Sequence, residues 1–331
     1  MHRRSPPLTS AVLLAERTAA ERISGGYRYN DGLAAALRRR GTGGLVRLDT
    51  AGALLDLCAQ TLIIDSLWLQ SPAPAALRSD LVLLGHYFPP DNPFLSPQAK
   101  RGWLRSAGTW LARSRSVVVT GSATRESWQR HFPEPVPTVV PPAVVTRRRS
   151  GGPGHGPLQL LTMGSVSAAK LPLPLLEEMA RLARYEFEWR IAGPLSGDPD
   201  HLRDCRACLA AVGLGDRVQF VGPLSVEEVQ VALWNADVYL ATSQFESFGM
   251  ASAEALAAGV PLIGFAAGEL RSWLPHDEAC TLVPVGDYRA FVTHVADWLT
   301  RTRQQLPEPG TPRLPMTDWD AVADRLVAAI A

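Results

Sequence analysis

At 331 residues with 46% hydrophobic content and a net charge of +1, the chain is long enough for two globular domains with sizeable cores, which excludes a disordered polyelectrolyte. The charge is uneven: residues 1–150 hold 20 basic and 10 acidic side chains, residues 151–331 hold 13 and 22, so the halves carry about +10 and −9. A basic first half fits an anionic substrate, an anionic membrane surface at the periphery, or attraction to the acidic half; with no helix-turn-helix or RNA-binding signature, nucleic acid is not an expected partner.

Met1-His-Arg-Arg opens like the charged end of a signal peptide, but the apolar piece Ala11 to Ala15 is short and stops at Glu16 and Arg17. No run approaches the roughly 18 apolar residues of a membrane span. Cys58, Cys205, Cys208 and Cys280 form no paired framework, and the expected location is cytoplasmic. Short apolar runs then alternate with helix-like stretches. Strands are expected at Ala11 to Leu14, Leu45 to Leu48, Thr61 to Ile64, Leu81 to Leu84 and Val117 to Thr120, with a helix over Asp31 to Arg40 after a glycine loop at Gly25-Gly26. Val139 to Val145 is extended and proline-bearing, and Arg147 to Pro157 reads as the linker.

The second half repeats the scheme, with strands expected at Leu158 to Met163, Trp189 to Ala192, Val218 to Val221, Val238 to Ala241, Leu262 to Phe265 and Thr281 to Val283. Ser225-Val-Glu-Glu228 is a capping box, and Trp319, Val322, Leu326 and Ile330 space a last helix over Asp318 to Ile330. Alternating strands and helices predict an α/β chain with two doubly wound, Rossmann-like parallel-sheet domains. The expected division is 1–148, 149–315, and a final helix at 316–331.

The segment Thr242 to Pro261 carries the most chemistry. Val238 to Ala241 reads as a buried strand, Phe248-Gly249 as its exit turn, and Met250 to Ala258 as a helix closed by Gly259. Glu246 then lies in the loop and Glu254 in the helix. The backbone of Phe248, Gly249 and Met250 at a helix N-terminus suits an anion or sugar hydroxyls. A carboxylate accepts two hydrogen bonds from vicinal hydroxyls, which fits Glu254 to a ribose diol and Glu246 to a hexose hydroxyl.

Glu246 to Pro261 resembles the signature Glu-x-Phe-Gly-x(4)-Glu-Ala-x-Ala-x-Gly-x-Pro of the retaining glycosyltransferases of the GT-B fold, in particular the large family 4, and the likeness spans nearly the whole chain. Ser24 to Asn30 looks like the family's first glycine loop, placing Gly25 and Gly26 near phosphate or acceptor. Gly164-Ser165 to Lys170 is similar to its Gly-Arg/Ser-x(4)-Lys pattern, in which the lysine contacts the donor diphosphate. Ser165 stands where many members have Arg and Leu171 where a glycine commonly follows, so the diphosphate is either held less tightly or held by another arginine. The resemblance implies a nucleotide-sugar donor in 149–315, an acceptor domain in 1–148, a terminal helix crossing back, and retention through departure of the diphosphate with no protein nucleophile.

Glu246, Lys170 and His86 are the candidate catalytic residues. Gly25, Gly26, Ser165, Lys170, Glu246, Ser247, Phe248, Gly249, Met250 and Glu254 are the candidate donor contacts. His86 ends the Leu81 strand, where it can hydrogen-bond sugar or acceptor, or cap the loop; Asp65 is similar. Ala267-Gly268-Glu269 partly resembles the family's Gly-Gly-x-x-Glu loop. Asp198-Pro-Asp200 has turn composition, as does His276-Asp-Glu278, and Cys205-x-x-Cys208 lacks a second ligand pair. No metal and no cofactor beyond the donor are expected. Two other readings stay open: a weakened binding or scaffolding subunit of the same fold, and another GT-B enzyme such as a sugar-nucleotide epimerase.

Overall fold

The computed structural model describes residues 12–17, 24–78, 80–146, 156–274, 279–301, 314 and 316–330. The Met1–Ala11 stretch, most of the Arg147 to Pro157 linker and His276 to Glu278 lie outside them. The chain divides into two compact units, Met1–Ala143 with Thr317–Ala331, and Val144–Met316.

The first unit runs β1 (Val12–Arg17), α1 (Gly25–Arg39), β2 (Gly43–Leu48), β3 (Thr61–Asp65), β4 (Leu81–Gly85), α2 (Pro97–Leu111), β5 (Ser114–Val119), α3 (Ser122–His131) and β6 (Thr138–Val139). The second runs β7 (Leu158–Met163), α4 (Leu173–Glu178), β8 (Phe187–Ala192), α5 (Pro199–Ala211), β9 (Val218–Gly222), α6 (Val226–Asn235), β10 (Val238–Ala241), α7 (Met250–Ala257), β11 (Leu262–Phe265), α8 (Leu270–Trp273), β12 (Cys280–Val283) and α9 (Tyr288–Thr300); α10 (Trp319–Ile330) belongs to the first unit. Among the described residues both sheets have six strands, ordered β2-β1-β3-β4-β5-β6 and β12-β11-β10-β7-β8-β9, and every pair is parallel.

Parallel strands covered on both faces need apolar residues at every position, and the core divides accordingly. Leu14, Ile63, Val82, Leu84 and Val118 face α1 and α10 through Leu33, Leu37, Val322 and Leu326. Their neighbours Ala15, Leu62, Ile64, Leu83 and Val117 face Trp103, Trp110 and Trp128 of α2 and α3. In the second sheet Leu160, Trp189, Leu240 and Ile263 pack on α4, α5 and α9, while Leu161, Tyr239 and Leu262 pack on α6 and α7. The strand order reverses between β1 and β3 in one sheet and between β7 and β10 in the other. Crevices for ligands open at such switch points, beyond the carboxyl ends of the strands.

α1 begins at Gly25, six residues before the expected start at Asp31, so Gly25-Gly26 forms its first turn and not a loop. The Ser24 hydroxyl accepts from Tyr27 N, and burial of Tyr27, Tyr29 and Asn30 outweighs the low helix propensity of glycine. β5 starts at Ser114, ahead of its expected apolar run, because Ser114 and Ser116 pair with β4 despite their polarity. The capping box is present, with Ser225 N donating to Glu228 Oε2 at 2.7 Å and Glu228 N to Ser225 Oγ at 3.2 Å. Among the described residues no helix is long and apolar enough to cross a membrane.

Candidate active site

At the switch point of the second sheet, the loops leaving β7 and β10 are stitched together. Gln244 N donates to Ala169 O at 2.8 Å, and the Thr242 hydroxyl donates to Lys170 O at 2.6 Å. This brings the Lys170 ammonium within 2.6 Å of Glu246 Oε2 and 3.2 Å of Phe245 O. The pair is half-buried, Lys170 exposing 27% and Glu246 23% of its side chain, so its attraction is less screened than at a free surface.

Behind Glu246 the chain turns into α7 through Gly249, at φ 84° and ψ 50°. That left-handed conformation is natural only to glycine, and a Cβ there would lie 2.5 Å from Leu270 Cδ1. Gly249 has no side chain with which to cap α7, so the first-turn N–H groups of Met250 and its neighbours point out of the helix end. Phe248 is buried, stacked on Trp273 at 5.6 Å, and its carbonyl accepts from the Trp273 indole. Glu254 lies one turn into α7 with 4% exposure. Burial holds the phenol of neighbouring Tyr239 well above its usual range, and the charges of Glu246 and Glu254 add to the rise. Thr162, Tyr239, Glu246, Gly249 and Ser252 line a pocket of about 330 Å³, counting the open space at its mouth.

The loop after β11 braces this turn. Glu269 N donates to Ser247 O at 2.9 Å, and Gly268, at φ 56°, approaches so closely that a Cβ would sit 1.8 Å from the Glu246 carbonyl oxygen. Gly268→Ala is therefore expected to cost roughly 1–3 kcal/mol through backbone strain and to push the Glu246 loop outward; thermal unfolding reads the first effect, and a crystal structure of the variant the second.

In the first unit, charged and polar groups gather at the carboxyl ends of β1, β3 and β4. Asn30 Nδ2 donates to Glu16 Oε2 at 2.9 Å and to Asp65 Oδ2 at 2.6 Å. His86 Nε2 lies 2.9 Å from Asn30 Oδ1 and 3.0 Å from Asp65 Oδ2. Arg47 Nε donates to Glu16 Oε1 at 3.1 Å. Glu16, Asn30, Asp65 and His86 are all buried.

Residues 146–308 match the family model described as Glycosyl transferases group 1. The second unit thus carries a region of that family's type. Curated relatives of this chain include D-inositol 3-phosphate glycosyltransferases from Geodermatophilus obscurus, 28% identical over 65% of this chain and 52% of the relative, and from Xylanimonas cellulosilytica, 35% identical over 48% and 38%. The chain thus spans about half the length of the curated relatives it matches, or less. Among solved structures, sucrose-phosphate synthase from Thermosynechococcus elongatus superposes with TM-score 0.75 at 18% identity, covering 97% of this chain and 98% of that one. The Anabaena protein HepE, solved with UDP and glucose, gives 0.75 at 13% identity, covering 97% and 99%. At those identities the structures speak to the fold, which is GT-B.

Within the second unit, the structure brings Lys170 and Glu246 into contact and places Ser247, Phe248, Gly249, Met250 and Glu254 in one turn and helix beside them. Ser165 is half-buried in the loop after β7. Leu171, where a glycine is common in the family, is a core residue with 1% exposure whose carbonyl faces His201 Nε2 at 2.9 Å. Gly25, Gly26 and His86 lie in the first unit, and Gly26 sits against the His86 ring, since a Cβ there would be 3.1 Å from Cδ2. Asp198 is the N-cap of α5, accepting from His201 N, and Asp200 is an exposed partner of Arg203. Cys205 is buried, its thiol pushed up to about 12 by desolvation first, as befits an unreactive core cysteine. Among the described residues no group of three metal-ligating side chains converges.

The sequence reading passed over Glu16 and Asn30. Glu16 interrupts an apolar run, although an acid closing a buried strand is itself a signal; Asn30, at the end of the expected glycine loop, carried none.

Proposed function

We propose that this chain is a retaining glycosyltransferase that moves a sugar from a nucleoside diphosphate sugar to an acceptor hydroxyl. The observation that carries the reading is the meeting of Lys170 and Glu246, 76 positions apart in sequence and 2.6 Å apart in space, beside the uncapped N-terminus of α7. The names of the matched relatives, and the UDP and glucose bound to HepE, support a nucleotide sugar as donor.

In this reading the first-turn N–H groups of α7, with Gly249 allowing close approach, and the Lys170 ammonium receive the diphosphate. The ammonium has three protons, and Glu246 and Phe245 occupy two. Ser165, Ser247 and Met250 border the same diphosphate, Glu254 takes the ribose diol and Glu246 a hexose hydroxyl. As the bond from the anomeric carbon to the diphosphate oxygen breaks, negative charge grows on that oxygen and an oxocarbenium-like centre forms. Lys170 stabilises the growing charge, the acceptor oxygen bonds to the anomeric carbon on the same face, and the departing phosphate oxygen takes the acceptor's proton. No resident metal or cofactor is part of the proposal.

Thermal unfolding with UDP, GDP, ADP and TDP sugars tests the reading directly. One base is expected to raise the melting temperature by mass action, and prolonged incubation of that donor should release the free nucleoside diphosphate. Stabilisation without release would replace the transferase by a binding subunit, and no stabilisation by any donor would overturn the reading.

A further inference from the structure

The peptide that follows Lys170 is gripped from two sides. The Lys170 carbonyl accepts from the Thr242 hydroxyl at 2.6 Å, and the next carbonyl, that of Leu171, faces His201 Nε2 at 2.9 Å. Leu171 is itself buried, in the core cluster that includes Leu175, Leu202 and Cys205. Its N–H donates to Ser167 O at 2.8 Å, and Pro172 comes next, with no N–H to offer. Among the described residues no backbone N–H reaches the Leu171 carbonyl, so the imidazole is what pairs it.

His201 is set for that task by α5. Its N–H donates to Asp198 Oδ1 at 3.0 Å, which fixes it in the first turn of the helix, and the residue is buried. A carbonyl oxygen can only accept, so Nε2 carries the hydrogen. Cys205 Sγ lies 3.4 Å from the same nitrogen. Burial pushes that thiol up to about 12, and a neutral sulfur is too weak an acceptor to compete with the carbonyl.

The Lys170 ammonium is thus held from the loop after β10, by Glu246 and Phe245, while the backbone beside it is held from α5. An apolar side chain of similar bulk at 201 would fill the space and leave the Leu171 carbonyl buried and unpaired. A polar group in that state is costly, and it escapes by turning toward water. Turning the Leu171 peptide drags Lys170 with it, and a misplacement of about 1 Å can cost about a hundredfold in rate.

We propose that His201 is a positioning residue for Lys170, its Nε2–H fixing the Leu171 carbonyl and so the place of the ammonium. The hydrogen bond and its effect on the lysine stand apart from any reaction; the effect on rate rests on the glycosyl-transfer reading.

The chain has two lysines, Lys100 and Lys170, so lysine-selective carbon-13 labelling of the ligand-free, full-length protein gives two Cε signals, with Lys170 assigned by its loss in Lys170→Ala. His201→Leu should shift the Lys170 signal and leave that of Lys100 in place. His201→Gln, whose amide N–H has nearly the same reach, should restore it. A folded His201→Leu protein with an unmoved Lys170 signal overturns the proposal, and so does a shift that His201→Gln fails to reverse.

Rates supply the second readout, with whichever nucleotide sugar stabilises the protein as donor. His201→Leu should lower kcat about ten- to hundredfold with KM changed less than about threefold, and His201→Gln should stay within about threefold of the wild type. In a Lys170→Ala background His201→Leu should cost less than about twofold, since a residue that acts through Lys170 has nothing left to position. An undiminished loss in that background overturns the positioning role, because a general loss of structure does not depend on Lys170. If His201→Leu does not fold, the wild-type imidazole decides. Nitrogen-15 spectra at about pH 8, where an ordinary imidazole is neutral, with His201 assigned by its loss in His201→Gln, are expected to show the hydrogen on Nε2; a bare Nε2 overturns the proposal. Failure of every nucleotide sugar to bind would instead remove the donor reading, with the lysine and imidazole spectra unaffected.

Discussion

Lys170→Ala is expected to lower kcat about 10²- to 10³-fold while weakening donor binding far less, the range seen when one donor to a developing anion is removed. The asymmetry follows from where the charge develops. In the ground state the diphosphate is already anionic and met by several groups, whereas the extra charge of the leaving oxygen appears only in the transition state. A compact ammonium adapts to that growth. The variant also strips Glu246 of its partner at 2.6 Å, leaving a half-buried carboxylate uncompensated near the donor. Lys170→Ala and Glu246→Gln should therefore be non-additive, the double variant losing less than the product of the singles. Lys170→Arg keeps the charge but carries a wider planar head into a space already bounded by Phe245 O, and intermediate activity is expected. Equilibrium binding, single-turnover rates and thermal unfolding together separate these effects. A Lys170→Ala enzyme with kcat within threefold of the wild type would remove Lys170 from the chemistry.

Much of this arrangement was legible in the sequence, and what was hidden has physical causes. β7, β10 and β11 fall on the expected residues, because a strand covered on both faces writes a continuous apolar run. The turn into α7 was readable because Phe248-Gly249 precedes a run of small helix formers, and a left-handed glycine at a helix entry leaves few other choices. Long-range pairings are a different matter. Nothing in a string of residues says that Lys170 and Glu246 touch; that follows from the reversal of strand order between β7 and β10. The same holds for Asn30, whose meaning appears only once β1, β3 and β4 align Glu16, Asp65 and His86 around it. The glycine pair at Gly25-Gly26 misled for a related reason. Low helix propensity was outweighed by tertiary packing of Tyr27 and Tyr29, energy that local preference cannot register.

Glu254→Gln is expected to raise the donor dissociation constant roughly 10- to 100-fold, the loss of a charged acceptor being worth about 1.5–3 kcal/mol, with kcat at saturating donor nearly unchanged. The carboxylate is almost fully buried in α7, and the negative charge it adds beside Tyr239 is favourable only where hydrogen-bond donors offset its desolvation. A ribose diol supplies two such donors. Gln keeps the shape and one oxygen but turns an NH2 toward the diol, so one of the two hydrogen bonds becomes a donor-donor contact. The choice of probe makes the assignment testable. Ribose is present in the nucleoside diphosphate and in the nucleotide sugar alike, so both must lose affinity by the same factor, as uniform binding requires. A loss confined to the sugar-bearing donor would move Glu254 to the hexose. Equal, wild-type affinity for both would make Glu254 a structural residue of α7, and the pairing of the two glutamates with a nucleotide sugar would lose its second half.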